Sequence, residues 1–198
     1  MQKVRAEIMK RSLGVQPYLF PMPTYMIGTY NEDDSVDVMM MAWGGICAEN
    51  MVALNLEADH KTVANLRARK AFTLAVPGTD TLAESDFFGI ASSNKMSDKF
   101  ARSGLHAVKS EHVDAPVIEE YQLTLECVVE KIEDEPYGLR VLGRIVNVLA
   151  DEKVLDENGK IEAGKLGAFA FDQMQNGYYA IGKKVGQAWH SGADFMKR

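Results

Sequence analysis

No stretch of these 198 residues is long enough to cross a bilayer as a helix. The longest uncharged apolar run, residues 38–47, is about half of the roughly 20 residues a helical span needs. Cysteine is scarce: Cys47 and Cys127 stand alone, with no C-x-x-C and no Asn-x-Ser/Thr sequon. That pattern fits a reducing cytoplasm better than secretion, and residues 1–7 lack the apolar core of a signal peptide. The expectation is a cytoplasmic protein without a membrane segment. Positive charge is also in short supply: 22 Lys and Arg against 28 Asp and Glu give a net charge of −6, so no basic footprint for nucleic acid exists. No G-x-G-x-x-G follows a strand, and no G-x-x-x-x-G-K-[ST] occurs, which removes the two common nucleotide loops. No G-x-S-x-G elbow is present, and His60, His106, His112 and His190 lack metal-like spacing. Hydrolase and zinc chemistry therefore start low.

What the chain does have is strand pattern. At 46% hydrophobic and 25% charged residues it is an ordinary globular composition, long enough for a core in a single domain over residues 1–198. The run Val38-Met39-Met40-Met41-Ala42-Trp43-Gly44-Gly45-Ile46-Cys47 follows turn chemistry (Asn31-Glu32-Asp33-Asp34-Ser35) and is flanked by β-branched residues. It reads as one strand in the middle of a sheet. Its paired glycines mark a bulge, a barrel corner, or bare backbone against a ligand. Residues 24–30 and 51–56 read as neighbouring strands of an antiparallel meander.

Helices interrupt this pattern. Residues 61–69 are helical with Asp59 as N-cap, and basic residues crowd the C-terminal end. Residues 71–76 form a buried strand. Thr81-Leu82-Ala83-Glu84 is a capping-box pattern opening a helix that ends near Gly89. A polar loop leads into a short helix over residues 98–102, and residues 108–118 are irregular. The alternation in residues 123–130 predicts a strand with one wet face, followed by another over residues 139–149. The predicted fold class is mainly β with inserted helices (α+β), an antiparallel barrel.

Two places on this frame could bind an anion. His60-Lys61-Thr62 stands at a helix start, where unpaired N–H groups and the helix dipole favour negative charge. Ser92-Ser93-Asn94-Lys95, with Lys99, forms a second hydroxyl-and-lysine loop. Against this stands the plainer reading that Asp59 and Ser97 cap helices and the lysines are solvated. Caps are commoner than phosphate sites, so the residues alone favour it. Trp43 is either core or the wall of a site for a flat aromatic ligand along Gly44-Gly45. The cysteines read as inert core thiols, and the methionines as packing that could also line an adaptable pocket.

The order of several pieces resembles the flavin reductase-like proteins with an FMN-binding split β-barrel, and within them the flavoredoxin group. The pieces are Pro23 before the first strand, Ala42-Trp43-Gly44, Lys61-Thr62, and Ser93-Asn94-Lys95-Met96-Ser97-Asp98-Lys99-Phe100. Ala115-Pro116, Leu125-Glu126-Cys127 and Leu142-Gly143-Arg144-Ile145-Val146 complete the set. The resemblance implies non-covalent FMN, a homodimer, and oxidoreductase activity. NAD(P)H is the implied donor for reducing flavin or another small acceptor; the alternative is an electron carrier docking to a redox partner protein. By position, Met41, Ala42, Trp43 and Gly44 would face the isoalloxazine ring and ribityl chain. His60, Lys61, Thr62, Ser93, Asn94 and Lys99 would hold the phosphate or the pyrimidine edge, so that FMN binds more tightly than riboflavin. Asp37 stands where the family often has Asn, and would accept from ribityl hydroxyls. A His often found before the Ile-Gly-x-Val strand is missing around Gly138, where Arg140 and Arg144 are the basic groups at hand.

Overall fold

The computed structural model describes residues 9–197. The strands and helices, in chain order, are β1 (Met22–Pro23), β2 (Tyr25–Tyr30), β3 (Val36–Met41), β4 (Gly44–Ala48), β5 (Met51–Leu56), α1 (Lys61–Arg69), β6 (Ala71–Val76), α2 (Leu82–Ile90) and α3 (Lys99–Ser103). They continue with β7 (Ala107–Lys109), β8 (Pro116–Ile118), β9 (Leu123–Glu135), β10 (Gly138–Ala150), β11 (Phe169–Asp172) and β12 (Gly177–Ala180). Among the described residues no helix is long and apolar enough to cross a membrane.

The run expected to be one central strand is two edge strands. Seven strands pair antiparallel in the order β3-β2-β6-β9-β10-β5-β4, so β3 and β4 lie at opposite ends of the sheet. Laid flat, six interstrand gaps would separate these edges by about 29 Å. The chain between Met41 and Gly44 is only three Cα–Cα steps, at most about 11 Å. The sheet must therefore curl until its edges nearly meet, and Ala42-Trp43 crosses the seam. Both the backbone N–H and the side-chain Nδ2 of Asn55 donate to the Trp43 carbonyl, at 2.8 and 3.2 Å, fixing that crossing. Of the three roles open to the paired glycines, Gly44 serves the barrel corner. A Cβ there would stand 2.8 Å from Met41 Cε and run into the Ala53 carbonyl.

Inside the barrel lies a cluster that includes Ile27, Leu54, Leu66, Phe72, Cys127 and Val141, all fully buried. Helix α1 contributes Val63 and Leu66 to it from one face, as the helical spacing predicts. A second cluster forms outside β3, where Met26 and Val38 meet Phe88 of α2, and Phe100 of α3 stacks on Phe88 with centroids 6.2 Å apart. Side chains on β3 alternate accordingly: Val36, Val38 and Met40 pack with the outer cluster, while Met39 and Met41 pack with the inner one. Asp37 shares the parity of the inner pair. A small sheet, β1-β11-β12, packs the aromatic tail beside the barrel.

Local expectations fail in several further places. The N-cap of α1 is His60, one residue later than Asp59, and no side chain caps that helix. Thr81 does precede α2, but its hydroxyl donates back to the Gly78 carbonyl at 3.0 Å, so the box does not close. Asp98 occupies the position before α3 and its carboxylate takes Arg102 Nε at 2.8 Å, so Ser97 caps nothing. Residues 107–118 contain the β7–β8 hairpin, and this flap covers the polar row of β9. Glu126 is 1% exposed there, accepting from Ser110 Oγ and from Asn147 Nδ2, so the face expected to be wet is dry at Thr124 and Glu126 and wet only at Glu130. Cys47 is exposed rather than core.

Candidate functional site

A cavity of about 750 Å³ opens where β3 breaks off. Its apolar lining comes from Met39, Met40 and Met41 of β3 and from Leu56, Ile90 and Leu139. Ala42 and Trp43 form the seam side, and Phe171 and Tyr178 of the tail sheet close the opposite side. The volume falls within the roughly 300–1,000 Å³ of small-molecule sites. Flexible thioethers can adapt to a flat ligand. Gly89 lets α2 approach: a Cβ on it would lie 2.8 Å from Met40 Cε. Trp43 is 51% exposed, so it is not core; it separates this cavity from a second hollow of about 400 Å³ over Gly44, Gly45 and Ile46.

Polar groups in the cavity are few. His60 lines it, and its Nδ1 is shielded from solvent with no protein partner. A buried ring nitrogen without a partner is costly, which makes this atom a candidate ligand contact. Tyr178 donates its hydroxyl to Asp86 Oδ1 at 2.7 Å. Desolvation, and then that carboxylate, push the phenol well above its usual range. Glu57 and Glu135 stand on the rim and Asn55 at the seam. Among the described residues no Lys or Arg lines the cavity.

The residues expected to receive a phosphate have other partners. Asp37 is completely buried. Thr62 Oγ1 donates to its Oδ2 at 2.7 Å, Ser93 Oγ donates to its Oδ1, and Lys99 Nζ lies 3.2 Å from that same Oδ1. Lys99 is itself buried, with Nζ also 3.4 Å from the Ala91 carbonyl and 5.9 Å from the centroid of the Phe88 ring. Burying an ion pair costs several kcal/mol per ion, and only this degree of satisfaction offsets it. None of these four residues lines the cavity. Asn94 donates to the Asp59 carbonyl at 2.8 Å and tethers its loop to the approach of α1. Lys61, half-buried, sits outside the lining and acts electrostatically on Asp33. Arg144 pairs with Glu130 at 2.5 Å, and Arg140 is exposed and outside the lining.

The structure thus brings Met41, Ala42, Trp43 and His60 together around one cavity, and gathers Asp37, Thr62, Ser93 and Lys99 into a separate buried network. Sequence reasoning missed Asp86, Glu57 and Glu135 as lining residues. Asp86 stands directly before the apolar Phe87-Phe88 pair of α2, which was the available signal; the two glutamates carried none.

A family model, the flavin reductase like domain, matches residues 18–169. The chain belongs to the flavin reductase-like family. Among solved structures, the flavoredoxin of Desulfovibrio vulgaris (Miyazaki F) is 32% identical with a TM-score of 0.88, covering 93% of this chain and all of that one. The flavoredoxin from Methanosarcina acetivorans is 23% identical with a TM-score of 0.84, over 96% of this chain and 100% of that chain. Nitrilotriacetate monooxygenase component B from Bacillus cereus shares the fold at 16% identity and a TM-score of 0.76, over 90% of this chain and 100% of that chain. No curated protein matches the chain by sequence. The split barrel implied by the sequence is therefore the observed one.

The residues present divide over the cofactor that flavin reductase-like proteins imply. The isoalloxazine ring fits: a methionine-lined cavity, an aromatic wall and one orphaned buried nitrogen suit a flat ring with a polar edge. A phosphate does not fit, because its expected donors are bound to Asp37 and the lining carries three acids and, among the described residues, no Lys or Arg.

Proposed function

We propose that the protein is a flavin-dependent oxidoreductase, a flavin reductase in the broad sense, that takes electrons from NAD(P)H and passes them to flavin or another small acceptor. The observation that carries this reading is the cavity at the broken strand, with its adaptable apolar lining and the unpartnered Nδ1 of His60. A non-covalent flavin, FMN by family resemblance, would lie against Met39, Met41 and the Ala42-Trp43 backbone. The bound flavin supplies the two-electron and one-electron chemistry. The protein's part is to exclude water through Leu56, Leu139 and Ile90, to orient the ring's polar edge by a hydrogen bond at His60 Nδ1, and to leave the cavity mouth open for the donor.

A second reading is supported by the 32% identity to a flavoredoxin over most of both chains. It makes the protein an electron carrier for a redox partner protein, with the half-exposed Trp43 beside the cavity as the exit edge. In either reading the protein works as a homodimer in the cytoplasm. Leu19, Trp43 and Ile46 line one exposed hollow that a second copy could cover.

Anaerobic stopped flow on the flavin-loaded protein separates the two. Flavin bleaching within seconds of adding excess NADH or NADPH supports the reductase. No bleaching over many minutes, with rapid reduction by a low-potential protein donor, makes it a carrier.

A further inference from the structure

We infer that this cavity holds its flavin by the ring and not by the phosphate, so that a neutral flavin such as riboflavin binds at least as tightly as FMN. The inference rests on the flavin reading above and specifies the class of flavin.

Three observations carry it. The first is the fate of the donors. Thr62, Ser93 and Lys99 all point at a carboxylate the chain supplies for itself, Asp37, which is completely buried. The anion those donors would receive is already built in. A second anion cannot join without two like charges sharing one buried cation, which the low dielectric makes costly.

The second observation is the sign of the cavity. Glu57, Asp86 and Glu135 line it, and among the described residues no Lys or Arg does. A phosphomonoester carries about −1.5 to −2 charges at neutral pH. Placed among three acidic side chains it gains nothing and is repelled, whereas the uncharged ribityl chain and ring are indifferent to them.

The third is the position of the other cations. Lys61 is half-buried and Lys95 exposed, and neither lines the cavity. Arg67 pairs with Asp134 at 2.8 Å, and Arg69 reaches Asp34 at 2.6 Å and Asp114 at 3.3 Å. The basic end of α1 is thus turned to other acids. A hydroxyl-terminated chain needs only hydrogen-bond acceptors, which the Glu57 carboxylate and the Asn55 side-chain oxygen in the lining supply.

The test is parallel calorimetric titration of the full chain with riboflavin and with FMN at neutral pH and low ionic strength. Glu57→Lys serves as the second protein; Glu57 is exposed, so the fold tolerates the change. The expected result is riboflavin binding equal to or tighter than FMN in the wild type. In Glu57→Lys the preference should move towards FMN by at least tenfold, because a charge-assisted phosphate contact replaces a repulsion. Salt should narrow the wild-type gap, since screening acts on the repulsion. FMN binding tenfold or more tighter than riboflavin in the wild type overturns the inference and leaves the flavin reading intact. An unchanged preference in Glu57→Lys overturns the charge argument. Failure of both flavins to bind overturns the flavin reading, and this inference with it.

Discussion

Replacing Lys99 by Met should be among the most destabilising single changes in the protein. The Lys99 side chain is 4% exposed and Asp37 is 0% exposed, and their charged atoms are 3.2 Å apart. Methionine keeps most of the stem that packs near Phe88 but removes the charge. Asp37 then retains only the neutral hydroxyls of Thr62 and Ser93. Breaking a buried pair on one side costs about 3–5 kcal/mol, since the remaining ion is left uncompensated. For a chain of this size each kcal/mol lowers Tm by about 2–4 °C, so a fall of roughly 6–20 °C is expected. Urea denaturation measures the free energy directly, with an unchanged m-value as the check that the denatured state is the same. The decisive arm is Asp37→Asn combined with Lys99→Met. Removing both charges leaves an amide with the same two hydroxyl neighbours, so the double variant should be more stable than Lys99→Met alone. A loss below about 1 kcal/mol for Lys99→Met, or a double variant no more stable than that single, would refute the buried ion pair.

Two further outcomes follow from the structure. His106 Nδ1 lies 2.8 Å from Glu120 Oε1, and that hydrogen bond, then its charge, raises the imidazole pKa above its ordinary value. Because the folded-state value is the higher one, the pair's contribution to stability is complete below the unfolded pKa of about 6.5 and is lost as pH rises through the folded value. NMR titration should place His106 above that reference and Glu120→Gln should bring it back; an unshifted His106 would refute the pairing. Burial, and then Glu126, push the Cys127 thiol up to about 12. In a Cys47→Ala background, Ellman's reagent at pH 8 should therefore find no reactive thiol until the protein is unfolded; prompt reaction would mean that the barrel interior is not closed around Cys127.

What the sequence determined by itself was local. Strand β6 and helix α1 were legible to the residue, and α2 nearly so, because apolar spacing, turn residues and Gly or Pro stops act over a few positions. The family was legible too, since the order of short motifs along the chain survives folding unchanged. The tertiary structure alone decided what those motifs do. Residues 38–47 have the composition of one buried strand, and only closure of a seven-stranded sheet shows that the run must break at Ala42-Trp43 to supply both edges. Thr62, Ser93 and Lys99 look like phosphate ligands in sequence. Their partner is Asp37, which lies 25 to 62 positions away and is chosen by how β3, α1 and α3 meet. Glu126 looks solvated until the β7–β8 hairpin covers it. Periodicity and caps are properties of neighbours in the chain. Burial and the pairing of charges are properties of neighbours in space, and in a closed antiparallel barrel those are mostly distant in sequence.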